Sequence, residues 1–512
     1  MKKWIIAAAT LGLITLVGFK SSLADKPNTD LLKISGPFEF SSQDLSKDGY
    51  MFTRMQVVES LVGVNKRGKI LPLLATDWQT SHDDLVWTFK IRENTYFHDG
   101  SILNAQAVKN ALEHAIAKPG VIKRVPINTI QATGNTLTLT LTQPYPPLLN
   151  VLAHYTVAIA SPSSYQDKDK TITLAGTGPY KIEQLVPPHK IHVTRNEQYW
   201  GENAHIEKVQ YLAGHRAESR ALLAQTGQAD IVYTLDPASI EPLQNSKQVN
   251  VVRESIPRTI LLKLNNEHPF LASYQTRQAL SLALDRSGIS QQIIRMPGSE
   301  AYQLFAPSLG AWYVNSLAHT RQDVAKAKAL LTQQGWQPND EGILQKQGKT
   351  FSVNLTTYSD RPELPVVATA IQAQLKQVGI EVNISIDNSS AIPAKHQDGT
   401  LELALVARNF GATIDPLALL LKDFANHKGS DWGPTNWSST EFSELLNTLS
   451  STKDPREYRD QAQKASRILA QQMPLIPITF YTQLVAVNKR VGNFHFDPFE
   501  INYRIAEMTL DD

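Results

Sequence analysis

The 512-residue chain contains no cysteine, which excludes disulfide bonds, a thiolate nucleophile and a lipid-modified cysteine behind a leader. It also lacks an excess of either charge. With 50 Lys and Arg against 48 Asp and Glu, a formal net charge of +2, no basic field marks it for nucleic acid. Beyond the first two dozen residues, no apolar run approaches the roughly 18–20 residues that span a bilayer. Catalytic signatures are missing as well: there is no G-x-S-x-G elbow, no H-E-x-x-H pair, no P-loop and no dinucleotide glycine fingerprint. "GHRAESR" (214–220) lacks the second histidine that a zinc-binding helix needs at i+4. Low-complexity tracts and short-period repeats are absent, which excludes a solenoid.

What is present begins with a leader. Lys2 and Lys3 precede an apolar run over 5–19, and Ser22-Leu23-Ala24 offers small residues at a cleavage site, so 1–24 is expected to be a secretory signal peptide. Its removal takes three positive charges away. The expected product is soluble, exported and without a lipid anchor, which suits a Gram-negative periplasm. The remainder, roughly 490 residues, exceeds the roughly 250–300 at which one core stops growing, so at least two lobes are expected. Local signals alternate between strand and helix. "TLTLTLTQPYPP" (136–147) has the two-residue period of a half-buried strand and stops at prolines. "DVAKAKALLTQQGW" (323–336) puts Val324, Ala327, Leu330 and Leu331 on one helical face between an Asp323 N-cap and a Gly335 stop. In "ELPVVATAIQAQLKQVGIEVNISI" (363–386), a helix ends at Gly379 and a strand follows with Ile380, Val382, Ile384 and Ile386 alternating. Such units argue for α/β construction.

In chain order, "VWTFKIRENTYFHDG" (86–100), "GTGPYKI" (176–182), "RNEQYWG" (195–201), "TRQALSLALDR" (276–286), "AKALLTQQGW" (327–336), "QAQLKQVGIEV" (372–382) and "PLIPITFY" (474–481) resemble the family 5 extracellular solute-binding proteins. These are the periplasmic receptors of ABC importers for peptides, nickel and metal chelates. The resemblance covers nearly all of the chain after the leader. It implies the two-lobe periplasmic binding protein type II fold, of α/β class, with a hinge and an interlobe cleft. Lobe I is expected over 25–264, with a peripheral subdomain, and lobe II over 265–481. The segment 482–512 returns to lobe I, with crossovers near 264–269 and 481–487. Such a receptor closes on its ligand and presents the closed surface to a membrane permease. It needs no catalytic residue, no cofactor beyond a nickel ion or metal chelate carried as ligand, and no second copy of itself.

The same resemblance nominates a site. Arg361 in "TYSDRPELP" (357–365), with Tyr358, is placed to grip a carboxylate. Arg408 and Phe410 in "ALVARNFGATIDPLALL" (404–420) would face the ligand, and Asp415 stands where peptide-binding members pair with an amino group; Asp-Pro before "LALL" also caps a helix. Met51 in "YMFTRM", with Arg54 beside it, matches a segment of nickel-binding members, and His427 in "DFANHKGSDW" lies near their loop histidine, a candidate metal ligand. Trp432, Asn436 and Trp437 are candidates to close the pocket. Two departures stand out: "LAHYTVAIASPSSY" (152–165) has no arginine, and Ile414 and Pro393 replace tyrosines. Arg54 or Arg124 would have to supply the missing charge. The implied ligand is nickel or a metal chelate in preference to a short peptide, the alternative being a strictly oligopeptide- or dipeptide-binding receptor. An exported hydrolase is the remote competitor. His98 and Asp99 look like an acid–base pair, but Asp99-Gly100 is a strong turn dipeptide and Asn104 a helix cap, so their reading is structural.

Overall fold

The computed structural model describes residues 30–511 apart from 67, 166–173 and 425, so the leader expected at 1–24 lies outside the described residues. The periodic segments take the forms their patterns dictate. Thr136–Leu141 is a strand with Leu137, Leu139 and Leu141 turned inward. Asp323 caps the helix Val324–Gln333 by accepting from the Lys326 N–H at 2.9 Å. The helix Glu363–Gln377 is stopped by Gly379 at φ +84°, where a Cβ would lie 2.9 Å from the Gly342 carbonyl, and the strand Glu381–Asp387 follows. Only a glycine fits that turn.

A ten-stranded mixed sheet runs through the molecule in the order 381–387, 352–358, 403–409, 249–264, 475–488, 231–233, 31–36, 208–213, 190–195, 180–186. Its middle is made by two long antiparallel strands, Val249–Leu264 and Leu475–Asn488, which pair with each other along their length. The end of the second also pairs with Ile231–Tyr233, among the strands of lobe I. The end of the first also pairs with Leu403–Asn409, in lobe II. Register breaks between Ser255 and Thr259, where Pro257 interrupts the ladder. Residues 258–264 pair on their other side with Leu403–Asn409, whereas 249–255 pair only with the far half of Leu475–Asn488.

A smaller antiparallel sheet, ordered 75–80, 86–91, 136–141, 127–133 and backed by the helix Ala105–Ala117, forms the subdomain of lobe I and has its own core around Phe89, Leu112 and Leu139. The family phrases meet where this subdomain joins the main sheet. Gly176 and Gly178 lie so close to the Val57 and Gln56 carbonyls that a Cβ at either would overlap them. His98 holds that loop: its Nε2–H donates to the Gly178 carbonyl at 2.9 Å, and its Nδ1 accepts from the Gly176 N–H at 3.3 Å. Asp99 accepts from the hydroxyls of Ser101, Ser161 and Ser163. Beneath them the buried Glu59 carboxylate accepts from Thr177 Oγ1 at 2.8 Å, Tyr199 OH at 2.9 Å and Trp200 Nε1 at 3.0 Å. In lobe II, Arg277 and Arg286 of another family phrase bond the Met473, Gln472 and Pro477 carbonyls and fasten their helices to the second long strand.

The lobes touch. Lys453 Nζ lies 2.6 Å from Asp84 Oδ2, Arg124 Nη1 donates to the Leu421 carbonyl at 3.2 Å, and the Phe499 ring sits between Gly68 of the subdomain and Gly411 of lobe II. Arg124, a candidate for the missing charge, is thus engaged at the rim. Among the described residues no helix is long and apolar enough to cross a membrane.

Candidate functional site

Three guanidinium groups converge between the lobes. Arg54 ends the helix Leu45–Arg54 of lobe I, Arg258 sits in the irregular stretch of the first long strand, and Arg361 follows the strand Ser352–Tyr358 of lobe II. All three are buried. Aromatic rings frame them: Arg54 lies 4.5 Å from the centroid of Phe38 and 5.3 Å from that of Tyr50, while Arg258 and Arg361 lie 5.2 and 5.3 Å from that of Tyr481. Such walls favour cations and exclude water. Tyr233 and Tyr503, stacked at 4.3 Å, extend the wall on the lobe I side.

Two carboxylates answer them. Glu500, from the returning C-terminal segment, accepts from Arg258 Nη2 at 2.6 Å and lies 3.9 Å from Arg54 Nη2. Burial alone would raise its pKa, but Arg258, Arg54 and Arg361 outweigh burial and hold it below the ordinary glutamate value. Glu363 goes the other way, because burial raises its carboxyl more than Arg361 lowers it. Five buried atoms in this cluster have no hydrogen-bond partner: Arg54 Nη1, Arg258 Nη1, Gln483 Oε1, Glu363 Oε1 and Tyr503 OH. Native interiors rarely leave such groups unpaired. Two guanidinium donors, two acceptors and one hydroxyl therefore stand ready for a molecule with an anionic group and a polar or cationic one.

The structure gathers Arg361, Arg54 and Tyr358 from the sequence-predicted residues into this region, with Met51 fully buried in the core behind Arg54. Tyr358 OH accepts from the Ala407 N–H at 3.2 Å, and its ring meets Trp432 edge-on at 6.1 Å. The others lie elsewhere. Arg408 is held at 2.6 Å by Asp423 inside lobe II, and Phe410 packs against Phe305. Asp415 accepts from Tyr458 OH at 2.8 Å, Trp312 Nε1 at 3.3 Å and the Leu417 N–H at 2.8 Å, so its carboxylate is held at the start of the helix Leu417–Asp423. His427 is half-exposed and pairs with Glu267 at 2.7 Å, in an open recess with His396 and Asn436. Asn436 bonds Asn265 there at 2.9 Å.

Sequence reasoning missed Arg258, Glu500, Gln483 and Tyr481. Arg258 had a local signal, since an arginine after a proline inside "IPRTILLKL" interrupts an otherwise apolar strand. Glu500 had none: it meets Arg54 across 446 positions of chain.

Comparison with known proteins places this geometry. The model of bacterial extracellular solute-binding proteins, family 5 (middle region), matches residues 69–430. The nickel-binding periplasmic protein of Escherichia coli K12 is 27% identical over 473 residues, covering 88% of each chain. The nickel-binding protein NikA of Staphylococcus aureus is 25% identical over 464 residues, covering 88% of this chain and 89% of the relative. Its crystal structure in complex with Ni(L-His)2 superposes with a TM-score of 0.82 at 23% identity, covering 94% of this chain and all of that one. With a family model matching well over half its length and a two-lobe fold shared with a solved relative, the chain belongs to the bacterial extracellular solute-binding proteins, family 5.

Proposed function

We propose that the chain captures a small carboxylate-bearing solute at the arginine cluster, with nickel in an amino-acid chelate as the best-supported cargo, and delivers it to the permease of an ABC importer. The observation that carries this reading is the convergence of Arg54, Arg258 and Arg361 with two guanidinium nitrogens left unpartnered. Guanidinium edges match carboxylates bidentately. Among the described residues, no three His, Cys, Asp or Glu side chains are grouped to hold a metal ion. Nickel taken here would bring its own ligands, and the protein would read the chelator. Opening and closing would pivot on the two long strands at 256–258 and beside Tyr481, with the protein acting as a monomer. Its place would be the periplasm, after loss of the leader. Nickel-binding relatives support the choice of cargo.

Titration calorimetry tests it with three probes: nickel with two equivalents of L-histidine, nickel alone, and nickel with histamine, which keeps the nitrogen ligands and lacks the carboxylate. The histidine complex should bind, and both others should be at least ~100-fold weaker, about 2.7 kcal/mol. Arg361→Met should cost the histidine complex a similar factor. Equal binding of nickel alone, or unchanged affinity in Arg361→Met, would overturn the reading. Binding of glutathione in place of any nickel complex would move the assignment to the peptide alternative.

A further inference from the structure

The loop that carries Glu500 is built to hold it in the cleft. Asp497 accepts from the N–H groups of Phe499, Ile501 and Asn502 at 3.0, 3.0 and 3.2 Å, which ties the backbone on both sides of Glu500. Arg54 Nε donates to the Glu500 carbonyl at 3.2 Å. Glu500 itself sits at φ +55°, a left-handed conformation that a residue with a side chain adopts only where its surroundings impose it. The neighbouring Phe499 ring reaches Gly411 of lobe II, so the loop is engaged on both sides of the cleft.

With this loop in place, the space lined by Arg54, Gln483, Glu500 and Tyr503 is a cavity of about 10 Å³, enough for about one water molecule. The chelate or peptide considered above does not fit beside Glu500. Nor can the arginines be left alone, since a buried guanidinium without a counter-charge is strongly unfavourable. The Glu500 carboxylate meets that requirement at 2.6 Å from Arg258.

We propose that Glu500 is a tethered stand-in for the ligand's carboxylate, and that the site admits only solutes whose own carboxylate can take its place on Arg258 and Arg54. The proposal deepens the ligand reading above and rests on it. A neutral or purely cationic solute cannot displace Glu500 without stranding two buried cations. A carboxylate-bearing solute exchanges one ion pair for another, and its remaining polar groups gain Gln483 and Glu363. Glu500 thereby sets the charge class of the cargo and keeps the empty lobes together.

Two measurements on the full chain test this, one of which needs no ligand. Small-angle scattering of the ligand-free protein should show a compact wild type and an expanded Glu500→Gln, because the amide cannot neutralise Arg258; an unchanged radius of gyration would overturn the latch. Calorimetry with nickel and two equivalents of L-histidine should show Glu500→Gln binding ~10-fold tighter than wild type, since a larger fraction of the variant is competent to bind. Glu500→Asp, which keeps the charge one methylene short, should fall between them and guards against a folding defect in the amide variant. Equal or weaker binding by both variants would overturn the proposal and instead make Glu500 a partner for the cargo's cation. If neither wild type nor variants bind this probe, the nickel–chelate reading fails while scattering still decides the role of Glu500.

Discussion

Two buried polar clusters, one around Glu59 and one around Arg258, differ in one respect. Around Glu59, every donor that approaches has found its acceptor: Thr177, Tyr199 and Trp200 all end on one carboxylate. Around Arg258, charges are paired but Arg54 Nη1, Arg258 Nη1, Gln483 Oε1 and Glu363 Oε1 remain open. The first cluster joins segments that the chain keeps far apart, and nothing more is asked of it. The second keeps hydrogen-bonding capacity in reserve, at a cost in stability that only a bound molecule recovers. Burial and charge alone do not separate the two. The accounting of partners does.

The comparison breaks most readily at Glu59. Glu59→Ala strands three buried donors and should cost ~4 kcal/mol of folding stability, read by guanidinium unfolding. The fraction that folds should bind nickel–histidine as the wild type does. Lost affinity with stability retained would erase the distinction between the clusters. A smaller effect concerns His98, whose imidazole burial depresses to about 4. The unfolded histidine titrates near ~6.5 and the folded one stays neutral down to about 4, so the contribution is complete above ~6.5. It is lost as the pH falls through that window, at up to ~1.4 kcal/mol per pH unit. His98→Gln should flatten this part of the stability–pH profile, measured by thermal unfolding, and an unchanged slope would show that the loop contact is not formed. The smallest effect is expected at His427, half-exposed and paired only with surface groups. His427→Ala should change stability by less than ~0.5 kcal/mol and leave nickel–histidine affinity within about twofold. A tenfold loss would return His427 to the list of metal ligands.

The fold was legible because its marks are local. Alternation at Leu137, Leu139 and Leu141, the Asp323 cap and the Gly379 turn each state their structure within a few residues. The family phrases were legible too, although as labels; the structure shows that several of them mark one junction, around His98, Gly176 and Glu59. The site was legible only in part. Arg361 and Arg54 stood out only because the phrases around them resemble family segments. Asp415 and Arg408 matched a pattern equally well, yet Tyr458 and Trp312 hold the one and Asp423 the other, and no spacing rule announces those partners. The Glu500 contact forms only when the last segment returns, so it is a property of topology and is written nowhere in the neighbourhood of either residue.

That return has a consequence for how the protein comes into being. The strand Leu475–Asn488 occupies the middle of the sheet, and the loop behind it delivers the charge that Arg54 and Arg258 await. A chain made from its N-terminus would hold its first lobe incomplete until nearly the last residue had emerged, and contacts of such long sequence separation form slowly. An unfinished or C-terminally clipped chain would have two of the arginines on their strand and helix but neither the middle strand nor the carboxylate that meets them.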